Sequence, residues 1–198
     1  RDPQLAEVRT GTKVVISGVA NDIFDQYLWP SKLLPKLNER FHPLTEAGKV
    51  KIHITYKGEK EIEYDIQPLN FRGKPLIQKE KFSIWYKHKE TGKAVPGNLE
   101  VFLWHDPRNI NGKVRLYNKG VYVKDITGID QFSQFPWDSG RLDGFINENF
   151  LELTIHRDEY MPTDSLFEFI KKINNTYATS LSDIVNSARD RAEDEEAV

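Results

Sequence analysis

Arg157 stands in the stretch Leu151-Glu152-Leu153-Thr154-Ile155-His156-Arg157-Asp158, which reads as a strand running toward a helix. A guanidinium carries permanent charge and five donors in a fixed fork. An arginine on a loop between strand and helix is therefore suited to a phosphate oxygen on an opposed surface. Against a transferring phosphoryl group such a residue is worth about 10³ to 10⁵ in rate. The competing reading is a surface arginine paired with Asp158 or Glu159. A second candidate is Thr12, in Gly11-Thr12-Lys13-Val14-Val15-Ile16, where Gly-Thr precedes a β-branched run. Taken alone, that is an ordinary strand start.

Most other chemistries fail on spacing. The five histidines, His42, His53, His88, His105 and His156, show no HExxH or other paired zinc spacing, so no metal site is expected. There is no GxSxG elbow, and Thr91-Gly92-Lys93-Ala94 lacks the upstream glycine and the following Ser or Thr of a P-loop. Asp125-Ile126-Thr127-Gly128-Ile129-Asp130 lacks the alternating oxygen ligands and closing glutamate of a calcium loop.

The elements that must position Arg157 follow from hydrophobic period. Lys13 to Ile16 is a short strand that could finish a sheet begun elsewhere. Ile23, Phe24, Tyr27 and Leu28, then Leu33, Leu34, Leu37 and Phe41, predict two short helices, with Pro30 between them and Pro35 in the first turn of the second. Val50 to Tyr56 and Ile62 to Ile66 alternate around the turn signal Lys57-Gly58, predicting a half-buried antiparallel hairpin. Further strands are predicted around Phe82 to Tyr86, Leu99 to Leu103, Val114 to Leu116, Val121 to Val123, and within Arg141 to Ile155, with turns at Glu90-Thr91-Gly92-Lys93 and Asn118-Lys119-Gly120. Leu166, Phe169, Ile170, Ile173 and Tyr177 recur at helical spacing behind a start signal at Thr163 and Asp164. A second stripe, Leu181, Ile184 and Val185, follows a capping-box pattern from Ser180 to Asp183. The result is an α+β architecture, a mostly antiparallel sheet of five or more strands packed on helices.

Composition bounds the function. The 198 residues carry a formal net charge of −2, with 28 basic and 30 acidic side chains. The acidity is local, since Arg189 to Val198 holds two arginines and five acids and is expected to be a frayed tail. No global basic field recommends nucleic acid. Absence of cysteine excludes disulfides and thiolate metal sites and suits a reducing compartment. The apolar runs are far shorter than the roughly 20 residues a membrane helix needs. A cytoplasmic protein is expected, or a nuclear one in a eukaryote.

Four stretches together resemble the GHKL ATPase superfamily, which includes gyrase B, MutL, the MORC proteins and the ninety-kilodalton heat-shock chaperone. Gly11-Thr12-Lys13-Val14-Val15-Ile16 is similar to the last strand of the nucleotide domain. Val114-Arg115-Leu116-Tyr117-Asn118-Lys119-Gly120-Val121-Tyr122-Val123 is similar to a strand pair of the chaperone's middle domain. Gly144-Phe145-Ile146-Asn147-Glu148-Asn149-Phe150-Leu151 resembles a MORC stretch, and Leu151 to Asp158 resembles the chaperone segment whose arginine reaches the γ-phosphate.

The resemblance spans residues 9 to 175. It implies that 1–18 end a nucleotide-binding domain otherwise missing here, that 19–185 form a transducer (middle) domain like the second domain of ribosomal protein S-five, and that 186–198 are a charged tail. It places Thr12 beside the nucleotide and Arg157 on the γ-phosphate, with Asp158 or Glu159 orienting the guanidinium. The helix glutamate and asparagine, the Asp-x-Gly-x-Gly segment and the glycine-rich lid of such ATPases are not found before Gly11. ATP and Mg²⁺ would then be held by an upstream domain, and this stretch alone would be an inactive part of an ATPase whose full form could be a homodimer.

An alternative reading is a non-catalytic module. Trp85, Phe102, Trp104 and Trp137 lie among Lys81, Lys87, Lys89, Lys93, Arg108 and Lys113, a mixture that could bind peptide, client protein or nucleic acid.

Overall fold

A computed structural model describes residues 11–57, 61–71 and 73–196, with side chains described as far as residue 187. Gly58 of the expected hairpin turn lies outside the described residues. The chain divides into two compact units, Arg1–Lys36 and Leu37–Val198, and the division falls inside a helix.

In the first unit, residues 11–20 form no regular element. Val14, Val15 and Ile16 are 76%, 74% and 67% exposed, so the predicted strand has no sheet partner among the described residues. A single helical turn, α1 (Asn21–Ile23), passes into a π-helical turn at Phe24–Leu28, where the Phe24 and Trp29 rings meet edge to face. Helix α2 (Pro30–Glu46) follows. Pro30 occupies its first position, where a missing N–H costs nothing, but Pro35 lies in the second turn rather than the first. The helix therefore begins earlier than the apolar stripe indicates.

The second unit contains the sheets. Strands β1 (His53–Lys57) and β2 (Glu61–Asp65) form the expected antiparallel ladder, with Ile54 opposite Tyr64. Five further strands, β3 (Lys74–Lys87), β4 (Ala94–His105), β5 (Val114–Asn118), β6 (Val121–Asp125) and β7 (Leu142–Glu148), are ordered β3-β4-β7-β5-β6. Three pairings are antiparallel and β5 with β7 is parallel, so the sheet is mixed. The parallel pair arises because β7 returns beside β5 after a 16-residue excursion that holds the two 3₁₀ turns Ile126–Gly128 and Asp130–Phe132.

Each sheet face has its own cover. Leu99, Val101 and Leu103 of β4, Val114 and Leu116 of β5 and Ile146 of β7 point to one face, against Phe169, Ile173, Tyr177 and Leu181 of α3 (Asp164–Glu196). These helical residues recur every three or four positions, which puts them on one stripe. Helix α3 is continuous where the sequence suggests a new start at Ser180. The hydroxyls of Ser180 and Ser182 donate back to the carbonyls of Tyr177 and Ala178 instead of capping, and the helix runs to Glu196 through the stretch expected to fray. At the other end, Asp164 accepts the Lys87 N–H at 2.9 Å, tying the helix start to the end of β3.

The opposite face carries Phe102, Phe145, Arg115 and Tyr117 and is covered by the last two turns of α2. The Tyr117 hydroxyl donates to the Glu39 carbonyl at 2.6 Å, and Arg115, largely buried, bridges Glu39 at 2.8 Å and Asp143 at 2.7 Å. His42 is fully buried, edge-on to Phe71 and Phe145, and its Nδ1 accepts the Leu69 N–H at 2.9 Å. Burial, and then the nearby Arg115 charge, lower the His42 pKa to about 4, so the ring is neutral.

Ile173 is wholly buried in this core while Phe167 on the same helix is more than half exposed. Ile173→Ala should therefore cost about 2–5 kcal/mol in urea unfolding, and Phe167→Ala within about 0.5 kcal/mol of zero. Equal losses would show that α3 does not bury the stripe described.

Candidate functional site: the loop that carries Arg157

Strand β7 ends at Glu148, and the chain crosses to α3 through residues 149–163 without a further strand. The strand expected from Leu151 is thus replaced by a loop with one isolated bridge, Leu153 to Tyr160. The reason is visible at its root. Glu148 continues the inward period of Leu142, Gly144 and Ile146, so its carboxylate is carried into the interior. There Oε2 accepts the N–H groups of both Phe150 and Leu151 at 2.7 Å, and Oε1 accepts the Asn118 amide at 2.7 Å. The same Asn118 amide donates to the Leu151 carbonyl at 3.1 Å. Backbone groups that a continuing ladder would need are therefore taken by side chains. Phe150 also lies over Gly97, where a Cβ would meet its ring at 2.1 Å, and stacks on Tyr86.

Beyond this root the loop closes on itself. The Thr154 N–H donates to the Glu159 carbonyl at 2.9 Å, the Met161 N–H to the Glu152 carbonyl at 2.9 Å, and the Arg157 N–H to the Thr154 carbonyl at 2.9 Å. Tyr160 and Leu151 are buried, whereas Ile155 is 97% exposed and His156 and Arg157 lie at the exposed tip. Arg157 takes φ +60°, a left-handed conformation unusual for a residue with a Cβ.

The two acids expected to orient the guanidinium are engaged elsewhere. Asp158 accepts the Thr154 hydroxyl at 3.0 Å, and Glu159 pairs with Lys124 of β6 at 2.5 Å. Arg157 makes no ion pair among the described residues. Its charge is available to an outside anion. Thr12 is exposed in the first unit and Arg157 belongs to the second, so each is placed by its own unit alone. Among the described residues no group of three His, Asp or Glu side chains could hold a metal ion. No helix among them is long and apolar enough to cross a membrane.

The aromatic alternative is divided by the structure. Trp85 is 64% exposed, but Trp137 is 3% exposed, with its indole N–H donating to Asn174 at 3.2 Å, so it belongs to the core. Phe102 and Trp104 are half-buried in a stack with Phe145 and Phe71, at centroid distances of 4.4 Å and 4.5 Å for the closest pairs. Lys81 pairs with Glu100, and Lys113 with Glu39 and Asp125. A continuous platform of exposed rings and free cations is not formed.

The buried Glu148 is the group sequence reading passed over, though a lone acid at the end of the inward period of β7 is a signal for it. No family model matches the chain, and no curated protein matches it in sequence.

Burial raises the Glu148 pKa to about 7 against the opposing bonds from Leu151, Asn118 and Phe150. Between about pH 4.5 and 7 the folded state keeps a proton that the unfolded chain has released, so this group's contribution to stability falls as pH rises. His42 acts oppositely: its contribution is lost as pH falls from about 6.5 toward 4. The stability difference between the wild type and Glu148→Gln isolates the acid. That difference should shift against the wild type by on the order of 3 kcal/mol between the acid and neutral ends of this window in urea titrations. A difference independent of pH would contradict the burial of this carboxyl.

Proposed function

We propose that this chain is the transducer part of a GHKL-type ATPase, in which Arg157 reaches the γ-phosphate of ATP held, with Mg²⁺, by an upstream nucleotide-binding domain. The observation that carries this reading is a guanidinium without an internal acid partner, at the exposed tip of a loop whose base is fixed in the core. A merely structural surface arginine would be expected to use Asp158 or Glu159, its immediate neighbours, yet both are committed to other groups. The fixed base matters because electrostatic stabilisation of a transferring phosphoryl group depends on a donor already in place.

Two further features support the same reading. Val14 to Ile16 leaves three consecutive apolar side chains in solvent, as expected of a strand whose sheet belongs to another domain. The loop also passes within a few residues into the 33-residue helix α3, so a displacement of the loop on ATP binding or hydrolysis has a rigid element to move. On this reading residues 19–185 have the fold of the second domain of ribosomal protein S-five, Thr12 lies beside the nucleotide, and the isolated chain is inactive. The parent would work in the cytoplasm, or the nucleus of a eukaryote, and could close as a homodimer on its nucleotide.

In the ATPase formed with the nucleotide-binding domain, Arg157→Ala should reduce turnover by about 10³-fold or more. The substitution removes no side-chain hydrogen bond or ion pair among the described residues, so the melting temperature of the chain should hardly change. Turnover at the wild-type rate would refute the proposed role of Arg157.

A further inference from the structure

On the sheet face opposite α3, beside the end of α2, lies a cavity of about 440 Å³, within the size range of small-molecule sites. Four lysines line it, drawn from three parts of the fold. Lys49 follows the end of α2, where the N–H groups of Lys49 and Val50 close on the Leu44 carbonyl after Gly48 at φ +65°. Lys79 sits in a β-bulge, because two residues of β3 oppose one of β4 between the pairs Ile77–Leu103 and Glu80–Val101. Lys81 follows two positions on along β3, and Lys119 forms the β5–β6 turn.

The polar lining is built to donate. Three asparagines join the lysines there, and the oxygen of each side chain is already occupied. Asn147 Oδ1 accepts the Gly120 N–H at 2.8 Å, Asn149 Oδ1 accepts the Asn98 N–H at 3.0 Å, and Asn98 Oδ1 accepts the Ser83 hydroxyl at 2.7 Å. Their NH₂ groups have no partner among the described residues, which leaves three amide donors beside four ammonium groups. The opposing acids are few. Glu100 is paired with Lys81 at 2.6 Å, the Glu148 carboxylate is used by Asn118 and the Phe150 and Leu151 amides, and Glu46 stands near Lys79 from the end of α2.

Two of the lysines occupy positions that favour another residue. Lys79 and Lys119 have φ +57° and +53°, and with Arg157 they are the non-glycine residues with positive φ among those described. The turn Lys119-Gly120, with both residues at positive φ, is the hairpin type that takes Asn-Gly most readily. A lysine there carries backbone strain and delivers a charge, the combination expected where a position is kept for its side chain.

We propose that this cleft binds a compact diphosphate, such as inorganic pyrophosphate or the diphosphate portion of a larger phosphate ester. Ammonium groups and amide donors satisfy phosphate oxygens, and several donors from separate elements suit two linked phosphate groups better than one carboxylate. No aromatic ring lines the cavity to stack a base, so recognition falls on the phosphates.

The test uses Asn in place of Lys, because Asn is at ease at positive φ and takes the charged group out of the cleft. The full chain is titrated with pyrophosphate by calorimetry at low salt, with orthophosphate in parallel. Wild type should bind pyrophosphate at least about tenfold more tightly than orthophosphate, and the variant Lys79→Asn/Lys119→Asn should lose at least about tenfold in pyrophosphate affinity, with a melting temperature equal to or above that of the wild type. A distant control, Lys93→Gln, should bind as the wild type does. Absence of pyrophosphate binding at millimolar concentration, equal affinity for orthophosphate, or an unaltered affinity in the double variant would each overturn the assignment.

Discussion

The carboxylate of Glu148 is the constraint on which the rest of this unit depends. It stands at the last position of the central strand β7, buried, and holds three donors from three residues. One belongs to Asn118, at the end of the parallel neighbour β5, and two are backbone amides of the segment that leaves the sheet. A single side chain thus ends a ladder, fixes the register of a parallel pair and sets the direction of the loop that follows. Desolvation opposes this arrangement, and the three donors offset it in part.

The consequence is a division of labour between the two sheet faces. One face is closed by α3 with apolar side chains and has no access to solvent at its centre. The other meets the end of α2 through polar and aromatic groups, among them Arg115, Tyr117 and His42, and opens at its margin into the lysine-lined cleft. The loop bearing Arg157 grows from the edge between them, since Asn147 and Asn149 face the cleft while Glu148 faces the core. Alternation along a strand produces this result directly, because successive residues belong to opposite surfaces.

Much of the architecture could be read from period alone. The strand pairs around Asn118-Lys119-Gly120 and Glu90 to Lys93 carry local turn chemistry, and the α3 stripe from Leu166 to Tyr177 has an unambiguous helical spacing. What failed was non-local. Leu151 to Ile155 alternates like a strand, but Glu148 claims its first backbone donor, the Leu151 N–H, and the Thr154 N–H turns to the Glu159 carbonyl, which no local pattern reports. Pairing of β7 with β5 in parallel depends on a long connection that period does not specify. The burial of Trp137 depends on Phe132 and on Asn174 of the distant α3. Within the candidate site, the exposure of Arg157 was legible from its position between two elements, whereas the diversion of Asp158 and Glu159 to Thr154 and Lys124 depends on tertiary packing and loop closure. The cleft was invisible for the same reason, since Lys49, Lys79 and Lys119 are widely separated in sequence.

The physical claim beneath all of this is that the loop presenting Arg157 is anchored, and not merely exposed. Amide hydrogen exchange resolved by residue tests it most directly. If Glu148 clamps the root, the N–H groups of Phe150 and Leu151 will exchange as slowly as those of the β4 and β7 core, although neither residue lies in a strand. Exchange at those two amides as fast as at the open segment 11–20 would contradict it.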